Sequence, residues 1–196
     1  MSLFQSSYKD RCLVIIGKLE GRLAINLADA LVPNAGIALD RLFGLPYIPG
    51  SAVKGCARHA AIARLRQVQD SNKKTLFDQF RRIFGTSAND FGSNGQLRNF
   101  VELLNGAPKN LKGAVSFLPS YPVDEGARLV VDLTNVHYLD YYRTGNITDL
   151  SKEKPRPNPF PAVETGARFA FCAILNGIDP DTALLRATRK FIEEAL

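Results

Sequence analysis

The segment that most restricts how this chain can fold is Gly44-Leu45-Pro46-Tyr47-Ile48-Pro49-Gly50-Ser51-Ala52-Val53-Lys54-Gly55-Cys56-Ala57-Arg58, where two prolines lead straight into an alanine-rich run. Pro46 and Pro49 fix their own φ and push Leu45 and Ile48 toward extended backbone, while Gly50 lets the main chain turn without a Cβ clash. Ser51 is expected to be the N-cap of a helix running to about Gln69. Val53, Ala57, Ala60 and Ala61 make a small-residue face suited to close packing on a sheet, and Gly55 is expected to serve the same approach. A stiff corner that meets a helix start presents free N–H groups and the positive end of the helix dipole, so an anion fits in front of it. Lys54 and Arg58, at i and i+4, project from one face beside that terminus. The bland alternative is a surface helix whose start and two cations meet only water. A nucleotide P-loop does not fit, because Walker A needs Ser or Thr after its lysine and Lys54 is followed by Gly55.

Charge reinforces the anion reading. The net charge is +6, and residues 1–100 hold 14 Lys/Arg against 7 Asp/Glu, whereas residues 101–196 hold 11 against 12. From Lys54 to Arg82 eight cations (Lys54, Arg58, Arg64, Arg66, Lys73, Lys74, Arg81, Arg82) face only Asp70 and Asp78. Clustered cations attract a polyanion by Coulomb steering and counterion release, although charge runs are also the ordinary decoration of a solvated helix face. The longest apolar runs, Cys12 to Ile16 and Phe169 to Leu175, are far too short to span a bilayer, and the first residues lack the pattern of a leader, so a cytoplasmic protein without membrane association is expected. Cys12, Cys56 and Cys172 form no C-x-x-C pair, which fits reduced thiols and neither disulfides nor structural metal.

With 196 residues and 45% hydrophobic content, one domain over 1–196 is the default expectation. Cys12 to Ile16 reads as a buried strand, Thr75 to Phe84 as a helix closed by Gly85, and Gln96 to Leu104 as a short helix. Ser87 to Gly95 reads as a mobile surface loop. Gly113 to Leu118 and Ala127 to Leu133 are expected to pair as an antiparallel hairpin, and Asn146 to Pro161, with four prolines, to be an extended loop. Arg168 to Leu175 reads as a core strand and Asp181 to Leu196 as an amphipathic helix.

Four segments resemble the RAMP superfamily, the repeat-associated RNA-binding subunits of CRISPR systems. Leu45 to Arg58 resembles its signature. Asn34-Ala35-Gly36-Ile37, Asp132-Leu133-Thr134-Asn135-Val136-His137-Tyr138 and Pro157-Asn158-Pro159-Phe160-Pro161-Ala162-Val163 are similar to the subunit-six family of the Cmr (type III-B) effector complex. The resemblance implies an α/β (α+β) fold with a ferredoxin-like, RRM-like βαββαβ core, long loop insertions and a last strand missing after Leu196. It also implies a non-catalytic role in antiviral defence, holding crRNA near its 3′ end and target RNA by backbone contacts beside other Cmr subunits. Neither a cofactor nor a small-molecule substrate is expected.

On this reading Lys54 and Arg58 grip phosphates, the Gly50 and Ser51 amides add hydrogen bonds, and Arg64 and Arg66 extend the track. Tyr47, His137 and Tyr138 are stacking or hydrogen-bonding groups for RNA. The alternative is a metal-independent endoribonuclease that processes repeat RNA, with His59 or His137 in acid–base roles, since His alone has an unperturbed pKa suited to that work. A third reading makes the basic helix a contact for acidic protein partners. Asp132 and Asp140 near His137 lack the spacing of a full metal-ligand set.

Overall fold

The computed structural model describes residues 6–25, 36–136, 145, 156–177 and 179–196, and these divide into two compact units. One comprises residues 1–17, 48–120 and 170–196, the other 18–47 and 121–169. The helices α1 (Gly50–Gln67), α2 (Asp70–Phe84) and α3 (Thr182–Glu193) belong to the first unit. The strands are β1 (Cys12–Lys18), β2 (Gly85–Thr86), β3 (Leu111–Lys112), β4 (Val115–Phe117), β5 (Tyr121–Pro122), β6 (Leu129–Val136), β7 (Arg156–Val163) and β8 (Arg168–Leu175).

In the first unit the strand order is β1–β8–β4, with β4 antiparallel to β8 from Val115 opposite Leu175 to Phe117 opposite Ala173. The apolar stripes of the helices bury against one another and this sheet. Val53, Ala57, Ala61, Ile62 and Leu65 line the inner face of α1, and Phe77, Phe80, Ile83 and Phe84 that of α2. Phe84 is the hub, its ring 5.2 Å from Phe80, 5.7 Å from Phe117 and 5.8 Å from Phe191. Two small residues depart from expectation, because Ala60 is only half-buried and Gly55 is exposed, with nothing within 4 Å of where a Cβ would stand. Gly55 therefore serves no close approach.

Gly85 closes α2 as expected, at φ 77°, and a Cβ there would lie 2.5 Å from the Leu111 carbonyl oxygen. The glycine thus allows β2 to pair with β3. Between them, the stretch read as a mobile loop is fastened. Ser87 N–H donates to the Asp90 carboxylate at 2.8 Å, Ala88 N–H to the Asn110 side chain at 2.8 Å, and Phe91 is buried edge-on to Phe77. The expected helix at Gln96 to Leu104 is a 3-10 turn, Arg98–Leu104. At the other end, α3 starts where Asp181 accepts the Leu184 N–H at 2.8 Å and the Arg82 guanidinium at 2.7 Å.

The second unit holds the largest correction. β6 pairs with β7 rather than with the strand before it, antiparallel from Leu129 opposite Val163 to Val136 opposite Arg156. Pro157, Pro159 and Pro161, taken as the mark of a loop, lie inside β7. Their period of two explains it, since alternate residues of a strand turn their nitrogens to the same edge. Val163 is in phase with them, and its N–H points away from β6 to donate to the Leu23 carbonyl at 2.8 Å. The prolines thus sit only where no bond to β6 is required. β5 pairs with β8, Val123 N–H donating to the Arg168 carbonyl at 2.9 Å.

The same unit contains a tightly held turn. Asp40 accepts N–H bonds from Leu42 and Phe43, both at 2.9 Å, and the Tyr121 hydroxyl at 2.7 Å. The turn holds Leu42 and Phe43 in solvent, 82% and 67% exposed. The Phe43 N–H first, then the Tyr121 hydroxyl, keep the Asp40 carboxyl below the usual carboxylate range. A depressed folded value means that the turn is fully held above the free-aspartate value, about 3.9, and is released as pH falls through the lower folded value. The amide resonances of Leu42 and Phe43 should therefore titrate below that value and stop titrating in Asp40→Asn. A midpoint at or above it would show that the carboxylate does not hold the turn.

Candidate nucleic-acid interface

Pro49, with φ −57° and ψ 140°, is the residue before α1, and its carbonyl accepts the N–H groups of Ala52 at 2.9 Å and Val53 at 3.1 Å. The cap is therefore Pro49 and the helix begins at Gly50, two residues earlier than a cap at Ser51 implies. Ser51 is not the cap; it lies exposed in the first turn, and no side chain caps this terminus. The shift has a steric origin. A Cβ on Gly50 would fall well inside contact distance of the Phe117 carbonyl oxygen and 3.0 Å from the Leu118 carbonyl carbon, so the helix start lies directly on the chain leaving β4. Ile48, two residues upstream, exchanges both backbone bonds with Ser120, at 2.9 and 2.8 Å. The corner is thus clamped to the sheet, and helix geometry leaves the Gly50 and Ser51 N–H groups without acceptors inside α1.

The cations of this region divide sharply. Arg58, expected beside Lys54 as a phosphate ligand, turns to the protein. It binds the Asp90 carboxylate at 2.6 Å, donates to the Gln96 side chain and lies over the Phe80 ring, 5.4 Å from its centroid. Asp90 is the hub of that arrangement, because its other oxygen holds Ser87. The sequence carried this signal in Ser87-x-x-Asp90, a capping-box spacing in a stretch read only as turn-forming. Arg64 pairs with Glu194, Lys73 with Asp70 and Arg82 with Asp181. Arg81 is buried, donates to the Pro108 carbonyl and covers the Phe77 ring.

Of the eight cations from Lys54 to Arg82, four (Lys54, Arg66, Lys74 and the buried Arg81) have no carboxylate partner among the described residues. Lys54 is half-buried in the second turn of α1, and Arg66 is exposed in its last. His59 is exposed on the same helix. In the second unit Tyr47 is half-buried and its ring stacks on Tyr121 at 5.8 Å. His137 and Tyr138 lie outside the described residues. Among those described, no three His, Cys, Asp or Glu side chains converge as metal ligands, and no helix is long and apolar enough to cross a membrane.

A proline-stiffened corner fused to an uncapped helix and packed on a sheet, within a mixed α/β chain, is the geometry that the described residues present. The model of the RAMP superfamily matches residues 31–196, and the chain belongs to that superfamily. Within it, the chain is 31% identical to the CRISPR system Cmr subunit Cmr6 of Pyrococcus furiosus over 163 residues, covering 65% of this chain and 46% of the relative. The chain therefore spans less than half the length of that curated relative. Its fold is similar to a chain in the cryo-EM structure of the type III-B Cmr-beta complex bound to cognate target RNA, with a TM-score of 0.61 and 19% identity over 95% of this chain and 54% of that one. The crystal structure of Cmr6 from Pyrococcus furiosus also aligns, at 23% identity and a TM-score of 0.44, over 94% of this chain and 90% of that one.

Proposed function

We propose that this chain is a non-catalytic RNA-binding subunit of a type III-B CRISPR ribonucleoprotein, holding crRNA near its 3′ end and the target RNA by backbone contacts in antiviral defence. The observation that carries the reading is the start of α1, where two unpartnered amides and the unpaired Lys54 stand on a corner that the sheet holds rigid. Phosphate oxygens accept from the Gly50 and Ser51 N–H groups, Lys54 supplies the charge, and Arg66 adds a second contact along the helix. Arg58 and Arg64 support the interface through the protein itself, by their bonds to Asp90 and Glu194. The core is of the ferredoxin-like βαββαβ type; the order β1–β8–β4, with two helices between β1 and β4 and one after β8, supports five of its six elements. Other Cmr subunits are its partners in the cytoplasm.

Filter binding across a salt series tests the reading. The chain should bind single-stranded RNA at low ionic strength, and Lys54→Ala should weaken binding alike for unrelated sequences and lower the salt slope by about one. An unchanged slope would remove the α1 terminus from the interface. Cleavage of repeat RNA in EDTA that is lost in His59→Ala or His137→Ala would replace the binding subunit with a nuclease.

A further inference from the structure

The helical layer of the first unit carries a second basic feature that phosphate binding at α1 does not use. A cavity of about 420 Å³ opens among the three helices, lined by Arg64 of α1, Leu76 and Gln79 of α2, and Arg186, Lys190 and Phe191 of α3. Ala183 and Ala187 complete the α3 wall, and their small side chains leave the groove open. Among the described residues no carboxylate lines it. Arg64 is held by Glu194, but Arg186 and Lys190 are exposed, one helical turn apart, and without a carboxylate partner among the described residues. The groove thus has an apolar floor and an uncompensated positive rim.

Two polyanions would answer that rim, and the floor separates them. Single-stranded RNA binds through exposed aromatic platforms and polar contacts to phosphate. Here the one aromatic in the lining, Phe191, is 2% exposed, and a phosphate seated over Leu76, Ala183 and Ala187 would lose its water for no new bond. A helix with carboxylates at i and i+4 places them one turn apart, the spacing of Arg186 and Lys190, while its apolar side chains enter the floor. We infer that this three-helix groove receives an acidic, amphipathic helix of a neighbouring protein. The inference rests on the proposed function only for the source of that helix, another subunit of the same ribonucleoprotein.

The test uses the full chain co-expressed with the proteins and RNA of its complex. Gln79→p-benzoylphenylalanine puts a photocrosslinker on the rim, and mass spectrometry identifies what it captures. The expected adduct is a peptide carrying two carboxylates three or four residues apart. Arg186→Glu with Lys190→Glu should then lower co-purification of that subunit about tenfold. Replacing the two captured carboxylates by lysine should restore it, with the salt slope of RNA binding by the isolated chain unchanged throughout. The restoration also shows that the reversed chain folds. An adduct to RNA, an adduct lacking the acidic pair, no adduct, or no restoration by the charge swap each overturns the groove assignment. Loss of RNA binding by the unaltered chain would instead remove the proposed function and leave the adduct to be read by itself.

Discussion

Gly50→Ala should lower folding stability by about 2 kcal/mol or more, while Gly55→Ala, five residues along the same helix, should raise it by about 0.5–1 kcal/mol. Helix propensity alone predicts a gain at both positions, so the opposite signs isolate what lies around each Cβ. At Gly55 nothing lies within 4 Å. At Gly50 the obstacle is the backbone of Phe117 and Leu118 at the end of β4, which cannot rotate aside as a side chain would. For a chain of 196 residues the loss corresponds to a fall of about 4–8 °C in the thermal midpoint, readable by calorimetry or circular dichroism. If Gly50→Ala melts at or above the parent chain, α1 does not start against β4, and the rigidity on which the phosphate site depends is gone.

The second large effect separates two cations four residues apart. Arg58→Ala should cost about 2 kcal/mol, because it strips the half-buried Asp90 carboxylate of its ion pair and uncovers the Phe80 ring. Arg58→Lys should recover only part of it, since an ammonium cannot bond Asp90 and Gln96 together while lying flat on an aromatic face. The salt slope of RNA binding should remain at the parent value in the folded Arg58→Ala chain. Lys54→Ala should do the reverse, leaving urea unfolding unchanged and reducing the slope. A reduced slope in Arg58→Ala would return that guanidinium to the phosphate track.

That contrast also shows what could be read from residue order. The helix positions, the Gly85 cap and the strand at Arg168–Leu175 follow from periodicity and turn chemistry acting within a few residues, and all three stand in the structure. The partner of a long side chain does not. Arg58 and Lys54 are equivalent on a helical wheel, and only the fold brings Asp90, 32 residues away, against one of them. Counting charges from Lys54 to Arg82 gives a strong positive field, yet pairing with Asp90, Glu194, Asp70 and Asp181 consumes half of it. Strand pairing failed for a related reason. The turn at Tyr121 to Gly126 invited a local hairpin, but β4 takes β8 and β6 takes β7, and neither choice is encoded in the turn. The cap falls at Pro49, two positions before Ser51, and a carbonyl 67 residues further along the chain is too near for any residue but glycine at 50.

The alternation of Pro157, Pro159 and Pro161 settles how far this part of the molecule can grow. Sheet extension requires donors along a free border, and the border of β7 facing away from β6 has one at Val163, already taken by Leu23, followed by three imino nitrogens that carry no hydrogen. A third ribbon on that border meets the outward carbonyls of the three prolines but no N–H beside them, so at most half of a ladder can form. At that border, the prolines guard the arm against widening.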